Sequence, residues 1–456
     1  GITTTFARKG DEFLITTDNS KGDLETYRVQ YVFGVYPLQQ YLLPMSGGRL
    51  QALSIAWDNR PNDEGGQRWY HLYESENVRA GHPLHWTSVY HNWNASCAEC
   101  HSTGLKKGFD YESGVYKTTY EQIDVGCEAC HGPGSVHIQL ALGKTISPNQ
   151  SGLDVKLDGR GTWLWENKQS IAKRQVKLRT DEQIDTCGRC HSRRSPLGEY
   201  HHGQSLLDTH RLSLIEEPLY WPDGQIREEV YVYGSFVQSK MHQAGVVCTN
   251  CHNPHSNQLL AEGNLLCAQC HQPTQFDRYE HHHHESGSAG SFCVDCHMPH
   301  QTYLGVDARR DHSMRVPRPD LSIVTGSPNA CNQCHLKQSN SWAVKALEDW
   351  GVQFEDLRQH QAIAFRKASQ GDIRALPGLV RTANDQSSTA LLRASAIKLI
   401  GDLAPELGDN NLSFWLKSKD PMIRMSAVQS IKRFNSESKY ALLKPLISDP
   451  SKSVRM

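Results

Sequence analysis

The chain carries CAECH at 97–101, CEACH at 127–131, CGRCH at 187–191, CTNCH at 248–252, CAQCH at 267–271, CVDCH at 293–297 and CNQCH at 331–335. These seven units use all 14 cysteines: Cys97, Cys100, Cys127, Cys130, Cys187, Cys190, Cys248, Cys251, Cys267, Cys270, Cys293, Cys296, Cys331 and Cys334. Residues i, i+3 and i+4 share one face of a helical turn, so two thiols and an imidazole can converge on one flat group. The pattern is the attachment signature of c-type haem. Each thiol adds to a vinyl group, and His101, His131, His191, His252, His271, His297 and His335 become the proximal iron ligands. Zinc sites built from four cysteines consume such pairs two at a time, and seven is odd. The expected cofactor is seven covalently bound haem c.

With only 38% hydrophobic residues and about 34 residues of chain per macrocycle, little polypeptide remains for a separate apolar core. The haems themselves are expected to serve as core, with little regular structure between motifs. The formal charge is -1, and seven ferric haems, each about +1 at the iron core and about -2 on its ionised propionates, would add roughly -7 in the oxidised state. An acidic holoprotein argues against nucleic acid and for redox proteins or other cytochromes as partners. Every cysteine is committed to a motif, and thioether formation belongs to the oxidising side of a membrane, so a periplasmic or extracellular location is expected. No apolar run reaches transmembrane length, and no signal peptide is visible.

Three regions follow in order. Residues 1–90 lack cysteine and read as a small β-meander, with strands near 12–17, 26–33 and 50–57. Residues 91–340 form the haem region, of short helical turns joined by irregular loops. Within it, the alternating stretch Val230-Tyr231-Val232-Tyr233 makes 220–238 a hairpin candidate, and the 19-residue step from Cys248 to Cys267 makes those two haems close neighbours. Residues 341–456 turn helical, with a 31-residue repeat: Leu392–Ile397 matches Ile423–Val428, and Val454-Arg455-Met456 begins a third copy. Asp-Pro turns before small-residue helices resemble HEAT-type α-solenoid repeats. The third copy stops one turn into its second helix, so the natural chain is expected to continue. The expected fold is mainly α with much irregular structure.

Of 24 histidines, 17 remain after the proximal seven, enough to cover the opposite face of every iron. His137 and His255 follow their own motifs too closely to reach around them, so each is expected to serve a neighbouring haem. His242 lies six residues before Cys248. The run His281 to His284 has the look of a metal-binding tract or tag, yet it sits just before Cys293, and one or two members are expected to be ligands, His284 first and His281 beside it. His312, flanked by arginines that can pair propionates, is a further candidate. His85, His71 and His202 rank lower, and His360 reads as a surface residue.

The segments FGVYPLQQYL (33–42), DVGCEACHGPGSVH (124–137), GVVCTNCHNPH (245–255), RRDHSMRVPRPDLS (309–322) and GSPNACNQCH (326–335) resemble secreted bacterial multihaem cytochromes c with HEAT or tetratricopeptide repeats after the haems. The haem region also resembles the wider class of the tetrahaem carrier of ammonia oxidisers, hydroxylamine oxidoreductase and pentahaem nitrite reductase. The resemblance implies His137, His255, His284 and His312 as distal ligands. It also implies an eighth haem in an N-terminal segment preceding Gly1. Three functions stay open: an electron carrier of mostly bis-histidine haems; a reductase of a small nitrogen or sulfur oxyanion at one five-coordinate haem; and a subunit of an extracellular conductive filament. All seven motifs end in histidine, which weighs against the second.

Overall fold

A computed structural model of the chain describes residues 2–143, 150–166, 169–357, 360–404, 409–431 and 436–456. It forms two compact units, Gly1–Asp154 with Thr302–Arg309, and Val155–Gln301 with Arg310–Met456. These do not follow the divisions expected near 90 and 340: two motifs fall in the first unit, and five share the second with the helical C-terminal region.

In the first unit, β1 (Thr5–Lys9), β2 (Glu12–Asp18) and β3 (Leu24–Arg28) form an antiparallel meander, with Ile15 opposite Phe6 and Tyr27. A second sheet is built around β5 (Leu38–Met45), which pairs with β4 (Tyr31–Phe33), β6 (Arg49–Ala52) and β7 (Ile55–Asp58); β8 (Arg68–His71) completes it beyond β7. Leu38, Gln40 and Leu42 of β5 are buried alternately, and the adjacent Leu43 is buried on the opposite face, so the strand is covered on both sides there. Ile15, Tyr27, Leu43, Leu53 and Trp86 make one apolar cluster, and Leu42, Leu50, Ala52, Trp93 and Ala98 another. Ala98 lies between Cys97 and Cys100, so the second cluster seats the first motif on the sheet.

The tight turn before β6 depends on Gly48. Its φ is +70°, and a Cβ there would lie 2.1 Å from the Tyr116 carbonyl oxygen. Both the left-handed backbone and the close approach exclude a side chain.

In the second unit the haem region is made of short pieces, as the composition implied. Its longest helix, Glu182–His191, carries the third motif. The expected hairpin over 220–238 is reduced to a single antiparallel bridge between Tyr220 and Ile226: Tyr231 has a φ of +60°, and the chain turns there into the helical segment Tyr233–Phe236. Val230, Phe236 and Val237 are buried, so the alternation that suggested a strand reflects contacts made around a turn. The fold class is likewise corrected from mainly α to mixed, since small antiparallel sheets occur in both units.

The C-terminal helices include Asn340–Asp349, Gln361–Ser369, Leu376–Asn384, Ala390–Leu403 and Pro421–Ser430; the last four pack in succession, and the first packs on the helix Pro319–Thr325. Equivalent positions of the 31-residue repeat do equivalent work. Ser395 and Ser426 are buried at the helix faces. Arg393 donates to the Ala383 carbonyl, and Arg424 to those of Ser418 and Lys419. Arg424 also forms a two-pronged pair with Asp449 at 2.7 and 2.8 Å. The array docks on 206–217: Ser395 accepts from the Ile215 amide, Lys398 pairs with Glu216 at 2.7 Å, and Asp208 accepts from the Lys452 amide.

Gly48→Ala is expected to lower stability by about 1–3 kcal/mol in thermal unfolding of the holoprotein, from the strained φ alone. Asp449→Ala, which leaves the buried Arg424 guanidinium without its carboxylate, is expected to cost about 3 kcal/mol in the same measurement.

Candidate haem centres

Each motif occupies a short helical or 3-10 segment, or lies at its edge. The turn is closed from the first cysteine to the histidine: the amides of His101, His271 and His335 donate to the carbonyls of Cys97, Cys267 and Cys331 at 3.2, 2.9 and 2.9 Å. None of the 14 cysteines is spent in a disulfide, as covalent attachment of haem through both thiols of a motif requires.

The opposite face of the iron supplies a test of fit. Two metal–imidazole bonds of roughly 2 Å, with roughly 1.1 Å from each ring centre to its nitrogen, would separate the centres of two imidazoles on opposite faces by about 6.2 Å. Three motif histidines face a second histidine at that separation. His252 and His312 lie 6.3 Å apart at 24°, His297 and His281 6.2 Å apart at 15°, and His335 and His284 6.2 Å apart at 44°. Desolvation lowers the pKa of His252, His281 and His312, favouring the neutral imidazole that binds metal.

Hydrogen bonds at the other ring nitrogen agree with this geometry. Nδ1 of His297 contacts the Arg315 carbonyl at 2.9 Å, that of His312 the Arg310 carbonyl at 2.9 Å, and that of His284 the His282 carbonyl. His137 contacts the Ser151 carbonyl in the same way at 2.7 Å. An Nδ1–H held by a backbone carbonyl fixes the tautomer and leaves Nε2 as the metal-binding atom.

The remaining candidates divide. His85 has both nitrogens engaged, Nδ1 with Thr87 at 2.8 Å and Nε2 with Asp18 at 3.1 Å, which leaves neither for iron in this arrangement. His71 is committed in the same way, to Ser54 and to the Tyr73 amide. His242 stands edge-on to Phe236, and His202 edge-on to Tyr200, whose ring lies under the Arg189 guanidinium of the third motif. His255 is exposed on the loop after the fourth motif, where Asn253 accepts from its amide. His360 is half-buried rather than at the surface, because it caps the helix Gln361–Ser369 and lines a cavity of about 120 Å³ beside Cys296, Arg315 and Arg318. Burial there pushes its pKa down to about 4.

The five motifs of the second unit follow one another in space as they do in sequence. The Cys187 and Cys248 thiols hydrogen-bond to each other, joining the third motif to the fourth. Gln183 reinforces that joint by accepting from both the amide and hydroxyl of Thr249. Cys251 and Cys270 are electrostatic neighbours, joining the fourth to the fifth. Cys267 and Cys293 hydrogen-bond, joining the fifth to the sixth. Cys331 and Cys334 act on the Cys296 thiol, which burial pushes up to about 11, joining the sixth to the seventh. In the first unit, the Thr103 hydroxyl ties the end of the first motif to the start of the second, donating to the Asp124 carbonyl and accepting from the Gly126 amide.

Aromatic supports were not anticipated from sequence. Phe33 packs edge-on to His101, Phe276 stands between His271 and His281, Trp342 lies against His335, and Trp350 stacks on His283. Trp342 and Trp350, eight residues apart just after the last motif, are the one visible sign of this.

The model of the family "Cytochrome c554 and c-prime" matches residues 66–132, and that of the "Doubled CXXCH motif" matches residues 241–276. No curated protein matches. Among solved structures, the undecaheme cytochrome from the S-layer of Carboxydothermus ferrireducens is similar at 16% identity and a TM-score of 0.35, covering 91% of this chain. The chain spans 62% of that cytochrome's length. No helix among the described residues is long and apolar enough to cross a membrane. The two family matches together fall on four of the CxxCH units, and with the local geometry of those units they support covalent binding of haem c at more than one site, as in multihaem c-type cytochromes.

Proposed function

We propose that the chain carries seven haems c and conducts electrons through them, outside the cytoplasm, to redox proteins or other cytochromes. The observation that carries this reading is the sequence-ordered proximity of the third to seventh motifs. Electron tunnelling falls off steeply with distance, so a conduit needs each ring edge beside the next, and neighbouring cysteines of successive motifs would bring the attachment edges near one another. When bound, the haem supplies a one-electron couple at each station. The protein's part is to hold the two axial imidazoles of each iron, to fix their tautomers and to exclude other ligands.

In this reading His312, His281 and His284 cover the irons of His252, His297 and His335. His137, with its Nδ1 fixed, covers a neighbouring haem, and His255 and His242 are the next in line. His202, beside the third motif, serves as a reserve. The helical array is HEAT-like; the matched roles of Arg393 and Arg424 and of Ser395 and Ser426 support this. Its docking on 206–217 suits a rigid buttress for the third haem. Self-assembly into an oligomer or filament is the natural extension of a conduit, reached by end-to-end contact of terminal haems.

Intact-mass measurement of the secreted holoprotein is expected to give seven haems per chain. Electron paramagnetic resonance of the oxidised protein is expected to show low-spin ferric signals alone. A stoichiometric high-spin haem would overturn the carrier reading in favour of an open, substrate-binding iron.

A further inference from the structure

The tetrad His281–His284 presents a geometric problem. Residues i and i+3 on a regular helix lie on one face, with Cβ atoms about 5–6 Å apart, so His281 and His284 in a continuous helix would compete for one iron. The chain avoids this at His283. The helix Tyr279–His282 ends there, with His283 in the left-handed conformation at a φ of +55° and its amide donating to the Tyr279 carbonyl. Beyond this break the backbone changes direction. His281 faces His297 of the sixth motif, and His284 faces His335 of the seventh.

A left-handed backbone at a non-glycine residue is held by its surroundings. Here the imidazole of His283 stacks on Trp350, with ring centres 4.2 Å apart and planes at 11°. Trp350 also stands edge-on to His284 at 6.5 Å. It follows the helix Asn340–Asp349, whose Trp342 lies 4.8 Å from His335. That helix is anchored by the buried Ala343 and Leu347 and capped by Ser339. His284 is confined further by its bonds to His282 and by Gly290, where a Cβ would lie 2.6 Å from the imidazole ring.

The geometry points to a bridging ligand turn: the tetrad supplies the distal imidazoles of two successive haems, and His283 stacked on Trp350 is the positioning lock that keeps them on separate irons. This rests on the axial-ligand reading above and adds the mechanical coupling of the two sites. His283 and Trp350 are positioning residues, acting through His281 and His284. Because one turn carries both ligands, a disturbance of the lock reaches two haems together.

The test uses the full-length oxidised holoprotein, with haem content checked by intact mass and spin states counted by electron paramagnetic resonance. His281→Ala and His284→Ala are each expected to convert one haem of seven from low to high spin, and the double variant two. Trp350→Ala is expected to shift the low-spin signals of two haems at once, since those signals report the angle between axial imidazole planes. Trp350→Phe, which keeps a stacking face, is expected to restore the parent spectrum. If Trp350→Ala does not accumulate with its haems, His283→Gly gives the same reading, because glycine keeps the left-handed turn and removes the stack.

Low-spin signals unchanged in both single histidine variants would overturn the axial-ligand reading itself. Single variants that each open a haem, with a double variant that opens only one, would overturn the bridge. A bridge that behaves as expected, with Trp350→Ala or its His283→Gly substitute altering one haem or none, would overturn the lock alone.

Discussion

An iron in a porphyrin has two faces, and a CxxCH unit can serve only one of them. Five residues on a helical turn bring two thiols and an imidazole to the same side, and no residue of that turn can reach round the ring. The second imidazole must come from elsewhere in the chain. This constraint explains much of the second unit: His312 is brought to His252 across some sixty residues of sequence by the buried loop around Asp311, whose carboxylate accepts from the amides of Ile226 and Ser313. The segment 309–322 is therefore defined more by the hydrogen bonds that aim its histidine than by regular secondary structure.

The same distinction separates what could be read from the sequence from what could not. The short turns that carry the motifs were legible, because their geometry is contained within five consecutive residues. In the N-terminal region the strand near 12–17 was legible, and Gly47-Gly48 marked the turn before β6, whereas the expected strands 26–33 and 50–57 are each broken in two, and the central strand β5 was missed. The small sheets of the second unit, the loss of the expected hairpin at 220–238 and the burial of His360 were not legible. Each depends on contacts between distant segments. His85 shows the limit most plainly: its position just before the first motif suits a ligand, but Asp18 and Thr87 occupy its nitrogens, and nothing near His85 in sequence announces Asp18.

The helical region shows how a repeat becomes structure. Its small buried serines let successive helices approach closely, and the arginine before each of them satisfies carbonyls exposed at the preceding turn. Arg424 and Asp449 join two repeats through a charged pair almost wholly removed from water, which makes their spacing less tolerant than an apolar contact would be. The buried serine of the earlier copy is turned to another use, since Ser395 accepts from the Ile215 amide of the haem region.

The in-order succession of the third to seventh motifs also bears on how such a chain can change length. The cysteines of successive motifs in the series are neighbours, hydrogen-bonded between the third and fourth and between the fifth and sixth, so neighbourhood along the polypeptide and neighbourhood in space coincide. A chain built this way gains or loses a station by duplication or deletion of one contiguous segment, and the contacts on either side need not be re-invented. The turn at 281–284 would be the exception under the proposed ligation: it would tie two stations into one unit of inheritance, since losing either the sixth or the seventh motif would leave a histidine of the shared turn without its iron.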